Sequence, residues 1–204
     1  MIEKQIAEGG LLQYDDKFLP EDYATKLFRY LTDNVSWEKK MYTDYRTGNQ
    51  YPQPRLTAWY ADDPNMEYSY SGITQKVQPW NDKLAELRDL ICKVSGVEYN
   101  SVLLNLYRDG KDSVGSHADD ERELGTNANI ASVSLGATRK FILSQYKRSN
   151  KKIVDEFGYE EYELVNGSLL IMSGTTQHYW KHSIPKDSSV TESRINLTFR
   201  KFYK

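Results

Sequence analysis

The chain has 204 residues, 39% of them apolar, and a formal net charge of −2 at pH 7, and its length suits a single domain, residues 1–204, with a substantial core. Because the charge is close to neutral, the chain is not an obvious polyanion binder, and contacts to nucleic acid would have to come from local basic clusters. No apolar run approaches the roughly 18 residues needed to cross a bilayer, which predicts a protein without membrane contact.

Two further features indicate the compartment. The first ten residues lack the basic stretch and following apolar segment that mark a secretory signal. The single cysteine, Cys92, cannot form an intramolecular disulfide, and we interpret it as a buried thiol in a reducing compartment. We therefore predict an intracellular protein, which is cytoplasmic or, in a eukaryote, nuclear.

Two helices are predicted in the first half of the chain. Residues 20–34 begin with Pro20 and two acidic residues, and their apolar and aromatic side chains form one stripe. Residues 79–95 place five apolar side chains on one face, and Gly96 follows as a typical helix-terminating residue. These five side chains are Leu84, Leu87, Leu90, Ile91 and Val94.

From residue 98 onward the pattern changes to short strands separated by turn signals such as Asp109-Gly110 and Asn166-Gly167. Helices followed by many short strands favour an α+β fold, in which a β-sandwich or jelly roll carries the chemistry. The predicted strands are residues 101–108, 129–136, 139–145, 159–164, 167–173 and 193–202.

A His-x-Asp sequence at His117 and Asp119 is the first candidate for a metal site. In an extended segment, residues two apart point to the same side, so both side chains can reach one cation. A third ligand could be His178 or His182, and two nitrogens with one carboxylate form the ligand set of non-haem Fe(II) oxygenases. On its own a His-x-Asp sequence is weak evidence, because such pairs also occur by chance on protein surfaces.

The last predicted strand alternates between polar and apolar residues. Its polar face carries Arg194, Asn196, Thr198 and Arg200, while its apolar face indicates core. Two guanidinium groups held in a buried or half-buried strand require anionic partners, because an unpaired buried charge is costly. A guanidinium binds a carboxylate with two hydrogen bonds, so a dicarboxylate could offer one carboxylate to each arginine.

An earlier strand repeats this alternation. Asn105 and Tyr107 point to one side, and Leu104 and Leu106 point to the other. An amide and a phenol on one strand face could complete the same anion site. If these two residues stood alone, an ordinary exposed strand face would be the better interpretation.

Taken together, these motifs resemble the AlkB family of 2-oxoglutarate oxygenases. The resemblance rests on His117 to Glu121, on Asn105 to Tyr107 and on the spacing between Arg194, Asn196 and Arg200. It extends over roughly residues 54–202 and is strongest to the human-type DNA and RNA repair members. Further stretches that agree are residues 54–60, 130–139 and 167–172.

The resemblance implies a double-stranded β-helix, or jelly roll, as the catalytic core in residues 98–204. Residues 1–97 would supply N-terminal helices and a nucleotide-recognition lid. The chain would then be a dioxygenase that requires Fe(II), 2-oxoglutarate and O2.

The same resemblance assigns the metal ligands as His117, Asp119 and His182. The family's distal histidine lies in a segment like Trp180 to Pro185, which favours His182 over His178. His178 would then be a wall or surface residue.

Residues of two strands would hold the cosubstrate by the same resemblance. Arg194, Asn105 and Tyr107 would bind the far carboxylate of 2-oxoglutarate. Arg200 and Asn196 would lie at the end that chelates the metal. The complete set is Asn105, Tyr107, Arg194, Asn196, Thr198 and Arg200.

The reaction that the resemblance implies is the oxidative demethylation of N-alkylated bases such as 1-methyladenine and 3-methylcytosine, a form of DNA repair. 2-Oxoglutarate is decarboxylated to succinate, the alkyl group is hydroxylated, and loss of formaldehyde restores the base. The expected partner is alkylated DNA or RNA, and a base inside a duplex has to be flipped out to be reached. We expect the protein to act as a monomer.

Contacts to the base are expected from both sides of the metal site. Tyr68 and Tyr70 lie in a stretch similar to the family's lid strand, where aromatic rings would stack on a flipped base. His117 could stack on the other side of the base. An acidic side chain would favour the cationic 1-methyladenine and 3-methylcytosine. The candidates are Arg55, which could equally form a structural ion pair, and Tyr68, Tyr70, Asp120 and Glu121.

Residues 42–54 are rich in Tyr, Gly, Gln and Asn and are predicted to form a β-hairpin. In the family this region probes the nucleic acid. The tip of this hairpin carries no clear apolar wedge for opening a duplex, so we favour single-stranded substrates.

Two alternatives remain open. A 2-oxoglutarate-dependent hydroxylase or demethylase of a protein or a small molecule would share the iron site but carry another lid. A jelly-roll binding module without catalysis is the other alternative, and an intact ligand set with both arginines argues against it.

Overall fold

The computed structural model describes the chain except for residues 45, 67, 71, 72, 150, 151 and 204, together with the side chains of residues 68–70, 74, 147–149 and 152–157. Short 3-10 turns cover Ala7–Gly9 and Arg122–Leu124. The α-helices are α1 (Glu21–Asn34), α2 (Asp82–Ser95) and α3 (Thr176–Tyr179).

Most strands belong to two sheets. The large sheet contains, in spatial order, β1 (Ile2–Ile6), β2 (Gly10–Asp15), β14 (Leu169–Gly174), β11 (Ile130–Gly136), β16 (Arg194–Arg200), β9 (Ser101–Tyr107), β5 (Leu56–Ala61) and β8 (Val77–Gln78). The small sheet contains, in spatial order, β10 (Val114–His117), β15 (Trp180–Ile184), β12 (Arg139–Ser149) and β13 (Lys152–Leu164). Two separate hairpins pair β3 (Met41–Thr43) with β4 (Gln50–Pro52) and β6 (Tyr68–Tyr70) with β7 (Ile73–Gln75).

Helix α1 confirms the first predicted helix. Glu21 and Asp22 lie in its first turn, where acidic side chains interact favourably with the positive end of the helix dipole. Ala24, Leu27 and Leu31 are buried on its inner face, and they pack against the large sheet in one apolar core.

Helix α2 confirms the second predicted helix but not its whole apolar face. The Asn81 side chain caps the helix by accepting from the backbone N–H of Leu84 at 3.0 Å, and Gly96 ends it with a φ of 70°. Leu84, Leu87 and Ile91 are buried. The expectation for Leu90 and Val94 is wrong: they are 41% and 45% exposed, because they lie at the edge of the stripe and turn away from the sheet.

Cys92, on the same helix, is half-buried rather than buried as predicted. Its sulfur accepts a hydrogen bond from the backbone N–H of Tyr99 at 3.3 Å. Burial raises the pKa of the Cys92 thiol, which lowers the fraction of the reactive thiolate at neutral pH.

The strands of the large sheet separate two cores. On β16, Ile195, Leu197 and Phe199 face the helices in one apolar core. The alternate side chains of β16 face the small sheet, and a second apolar core fills part of the space between the two sheets. This arrangement of two facing sheets, with α1 and α2 on one outer side, confirms the predicted jelly roll.

The order of elements corrects the expectation that helices come first. Strands β1 and β2 precede α1, and β2 pairs with β14. β1 was missed because its residues are largely exposed and give little apolar alternation. Strands on both sides of residue 98 therefore share the large sheet. Within the described part of the chain, no helix is long and apolar enough to span a membrane.

Several strand bounds also differ from prediction. β13 begins at Lys152 rather than at residue 159, and β5, β10 and β15 were not predicted as strands. β10 is a short strand without a strong apolar pattern, so its conformation depends on pairing with β15 rather than on local propensity.

Candidate active site

A cavity of about 1010 Å³ opens between the two sheets. Its floor is formed by polar side chains of β9, β11 and β16, its sides by β10 and β15, and its mouth by the β3–β4 hairpin. The volume is at the upper end of those of ordinary small-molecule sites, so a cosubstrate and part of a larger substrate can enter together.

Three side chains that could bind a metal meet at one end of this cavity. One ligand atom from each of His117, Asp119 and His182 lies within 4.8 Å of the others. His117 and His182 are opposite residues of the β10–β15 pair, with ring centroids 4.3 Å apart. Asp119 follows β10 by two residues and is 2% exposed. The three side chains therefore lie together, as the resemblance to the AlkB family implied.

The hydrogen bonding of His117 suits metal binding. Its Nδ1 lies 2.8 Å from the carbonyl oxygen of Gly115, and its Nε2 lies 3.9 Å from a carboxylate oxygen of Asp119. A proton on Nδ1 donates to Gly115, which leaves Nε2 directed toward Asp119 as a metal ligand.

The charge states of the other two candidate ligands suit metal binding. Burial, helped by the neighbouring His117, lowers the pKa of His182 to about 3, so its ring is neutral at pH 7. Burial alone would raise the pKa of Asp119, but Arg200 and the two histidines outweigh it and lower this pKa to about 2. One carboxylate and two imidazole nitrogens are the ligand set expected for non-haem iron.

The carboxylate of Asp119 is fixed by protein groups. Arg200 donates from Nη2 to Oδ1 at 2.9 Å and from Nε to Oδ2 at 3.3 Å. The buried Gln177 accepts the backbone N–H of Asp119 at 2.9 Å. Arg200, expected at the chelating end of 2-oxoglutarate, thus pairs with the carboxylate of the candidate metal ligand Asp119. Gln177 was not predicted, since nothing local in the sequence distinguishes it.

His178 lies apart from this cluster. It is exposed, and its Nε2 lies 3.0 Å from the side-chain oxygen of Asn127. The geometry favours His182 over His178 as the third ligand.

Arg194 is the clearest candidate for binding an anion. It is 1% exposed, and its Nη2 donates to Ser134 at 2.9 Å. Its Nε and Nη1 have no hydrogen-bond acceptor among the described residues. Burial, with the like charge of Arg139 adding to it, lowers the pKa of Arg194 to about 10. A buried guanidinium with two unmatched donors fits a carboxylate ligand.

Asn105 and Tyr107 lie next to Arg194 on the cavity floor. The Tyr107 ring centroid is 5.3 Å from the guanidinium carbon of Arg194. The side-chain oxygen of Asn105 accepts from Nε of Arg55 at 2.7 Å, so the amide N–H₂ is the end available to an anion. Arg55 itself also donates to the carbonyl oxygen of Ser113 at 3.4 Å.

Asn196 and Thr198 line the same cavity but are held by the protein. The Asn196 amide nitrogen donates to Ser132 at 2.7 Å, and its oxygen accepts from Thr198 at 2.8 Å. These two residues therefore shape the floor between Arg194 and Arg200. Their contact with the cosubstrate stays a prediction.

Of the predicted base contacts, Arg55, Asp120 and Glu121 line the cavity. The side chains of Tyr68 and Tyr70 lie outside the described residues, although the backbone of their strand pairs with β7. The predicted hairpin in residues 42–54 is confirmed by β3 and β4.

Two tyrosines of that hairpin were not singled out in the sequence. Tyr42 and Tyr51 are opposite residues of the hairpin, their ring centroids are 5.9 Å apart, and both line the cavity. The predicted hairpin would have identified this pair if its register had also been predicted, since opposite residues in antiparallel strands lie close together.

The sequence matches the family model described as the 2OG-Fe(II) oxygenase superfamily over residues 12–200. It is 39% identical over 196 residues to the mouse DNA oxidative demethylase ALKBH2, which covers 96% of this chain and 81% of that protein. The chain belongs to the AlkB family of 2OG-Fe(II) oxygenases. This family consists of dioxygenases, and membership implies Fe(II), 2-oxoglutarate and O2, for which the His-Asp-His cluster and Arg194 are suited.

Other relatives agree with this assignment. The chain is 43% identical over 184 residues to the bovine alpha-ketoglutarate-dependent dioxygenase alkB homolog 3, covering 88% of this chain. It spans 62% of the length of that bovine protein. Among solved structures, OsALKBH1 superposes with a TM-score of 0.62 at 18% identity, over 93% of this chain and 97% of that chain. This last likeness supports the AlkB-type fold alone.

Proposed function

We propose that this chain catalyses the oxidative demethylation of N-alkylated nucleobases, such as 1-methyladenine and 3-methylcytosine, in DNA or RNA. One observation carries the proposal: the cluster of His117, Asp119 and His182 shares one cavity with the unmatched guanidinium of Arg194. The name of the mouse relative, a DNA oxidative demethylase, supports the substrate class.

Different residues would bind the metal and the cosubstrate. His117, Asp119 and His182 hold Fe(II), and Arg200 keeps the Asp119 carboxylate ionised and oriented. Arg194 and the amide of Asn105 hold the far carboxylate of 2-oxoglutarate. When bound, iron, 2-oxoglutarate and O2 supply the oxidation, in which 2-oxoglutarate becomes succinate and carbon dioxide and the N-alkyl group is hydroxylated.

The acidic residues after Asp119 favour cationic bases. Asp120 and Glu121 line the cavity beyond the metal ligands, and a carboxylate stabilises a positive charge placed near it. 1-Methyladenine and 3-methylcytosine carry that charge, which the repaired bases lose. The site would therefore bind the damaged base more tightly than the product.

We further propose that single-stranded nucleic acid is preferred. The β3–β4 hairpin at the cavity mouth carries Tyr42 and Tyr51, whose rings offer stacking surfaces to unpaired bases. The residues that we assign to metal and cosubstrate come from one chain, which supports action as a monomer. An intracellular location, cytoplasmic or nuclear, follows from the proposed substrate, and the free thiol of Cys92 suits a reducing compartment.

The test is demethylation of 1-methyladenine and 3-methylcytosine in single- and double-stranded DNA and RNA, with Fe(II) and 2-oxoglutarate. We expect formaldehyde release and base restoration, with the highest rate on single strands. Succinate formation without repair of any of the four substrates would instead favour a hydroxylase or demethylase of a protein or small molecule. Absence of Fe(II)-dependent succinate formation would contradict the enzymatic proposal as a whole.

A further inference from the structure

Arg139, the first residue of β12, is a buried cation that the proposed reaction does not use. It is 1% exposed. Its Nη1 donates to the carbonyl oxygen of Asp109 at 3.2 Å, and its Nη2 donates to those of Asp112 at 2.9 Å and Pro185 at 2.6 Å. Within the described part of the chain, it forms no salt bridge with a carboxylate and is not part of the cavity wall.

Two of these carbonyl groups flank the strands that carry the histidine ligands. Asp112 lies two residues before β10, and Pro185 directly follows β15. In this strand pair, Val114 is opposite Ile184 at one end and His117 is opposite His182 at the other, with an irregularity between them. A short, irregular ladder has few hydrogen bonds of its own to fix its register. One guanidinium nitrogen thus joins the two strands at the end away from the metal.

Arg139 also contacts the proposed cosubstrate side of the cavity. Its guanidinium carbon lies 5.7 Å from the ring centroid of Tyr107, whose ring also lies 5.3 Å from the guanidinium carbon of Arg194. Cations at such distances from an aromatic ring are attracted to it. The Tyr107 ring is therefore held by both guanidinium groups, one of which faces the cavity while the other lies behind its wall.

We propose that Arg139 is a positioning residue that sets both the spacing of the two histidine ligands and the orientation of Tyr107. Arg139 would preorganise the binding of metal and cosubstrate without touching either of them. This proposal rests on the proposed function only for the identity of the metal and the cosubstrate. Arginine is required because its planar fork reaches acceptors in two loops at once. A lysine in its place offers a single point of attachment.

The test compares Arg139→Lys and Arg139→Gln with wild type in two binding measurements without turnover. The first is the affinity for Mn(II) in the absence of cosubstrate. The second is the affinity of the Fe(II)-loaded protein for 2-oxoglutarate under anaerobic conditions, followed by its visible charge-transfer absorption. We expect both dissociation constants to rise about 10-fold or more, as for residues that orient metal ligands through an outer shell.

Arg108→Lys is the matched control. Arg108 lies in the loop between β9 and β10, which also contains Asp109 and Asp112. It pairs with the Asp112 carboxylate at 2.8 Å, but its side chain is 48% exposed. Its replacement should leave both dissociation constants unchanged. Circular dichroism and thermal melting of each variant show whether it is folded.

The outcomes test the positioning role of Arg139 separately from the proposed function of the protein. Folded Arg139 variants with wild-type affinities would overturn it, and so would equal losses in Arg108→Lys. If neither Arg139 variant folds, Arg139 supports the fold as a whole and the positioning role is wrong. Failure of the wild-type protein to bind Mn(II) or 2-oxoglutarate would instead contradict the proposed function.

Discussion

The two faces of strand β16 lie in interiors of opposite character. Toward the helices, Ile195, Leu197 and Phe199 pack into an apolar core with α1 and α2. Toward the small sheet, Arg194 and Arg200 are equally buried but face a cavity. Only the first face is filled by the chain's own side chains, whereas the second lines an open cavity.

This difference separates stability from function along a single strand. The apolar face stabilises the fold through burial and close packing. The polar face buries charge, which costs free energy unless a partner is supplied. Asp119 supplies one to Arg200, whereas Arg194 keeps two donors without an acceptor among the described residues. An anionic ligand therefore gains the most binding free energy from a contact with Arg194.

The largest effect is expected from Asp119→Ala. It removes a proposed metal ligand and leaves the Arg200 guanidinium buried without this partner. We expect Fe(II) binding and succinate formation to fall below detection, and the metal-free protein to lose about 3–5 kcal/mol of unfolding free energy. Metal titration, a succinate assay and denaturant unfolding measure these three effects.

A matched pair of histidine variants controls the metal assignment. His182→Ala should be inactive, whereas His178→Ala should keep most activity because His178 is exposed and contacts Asn127. The reverse result would show that the wrong histidine was assigned.

Arg194→Met should affect binding and stability in opposite directions. Loss of the guanidinium should weaken 2-oxoglutarate binding by about 2–5 kcal/mol, which corresponds to roughly 30-fold or more in the dissociation constant. The protein without ligand should be at least as stable as wild type, since an apolar side chain replaces a buried charge with unmatched donors. Calorimetric titration and denaturant unfolding test the two halves.

Arg194→Lys is the control, and it should recover little binding because a point charge does not reproduce a two-pronged contact. An unchanged 2-oxoglutarate affinity in Arg194→Met would falsify the assignment of this anion site.

Leu197→Ala, on the other face of the same strand, should show the opposite pattern. The deletion creates a cavity in the apolar core, so we expect a loss of about 2–5 kcal/mol in unfolding free energy. Metal and 2-oxoglutarate affinities of the folded protein should stay at wild-type values. A large change in either affinity at unchanged stability would mean that the two faces are not independent.

The smallest effect is expected from Asp120→Asn, at the solvent-exposed edge of the cavity. Removal of an exposed charge is worth up to about 1 kcal/mol, or roughly 5-fold in rate on cationic 1-methyladenine and 3-methylcytosine. A neutral etheno adduct should be affected less. Equal losses on both types of lesion would indicate that Asp120 orients the metal ligand next to it instead of contacting the base.

Much of the site was predictable because strands alternate strictly. Asn105 and Tyr107 on β9, and Arg194 to Arg200 on β16, were assigned to one face from sequence, and the register pairs Arg194 with Tyr107 and Asn196 with Asn105. The exposure of Leu90 and the exposed strand β1 were not predicted, since residues at the edge of an apolar stripe and exposed strands carry weak apolar patterns. Strand β2 is largely half-buried and was also not predicted.

The sequence by itself determined the fold class and the polar faces of β9 and β16, because those depend on residue type and on periodicity within single elements. The resemblance of its motifs to the AlkB family supplied the family, the choice of His182 over His178 and the expected roles of the cosubstrate residues. The tertiary structure decided which partners these side chains have. Arg200 pairs with Asp119 across 81 positions of sequence, and Arg139 joins loops at Asp112 and Pro185. Such contacts depend on how strands are ordered and registered in two sheets, and local propensity carries no information about that order.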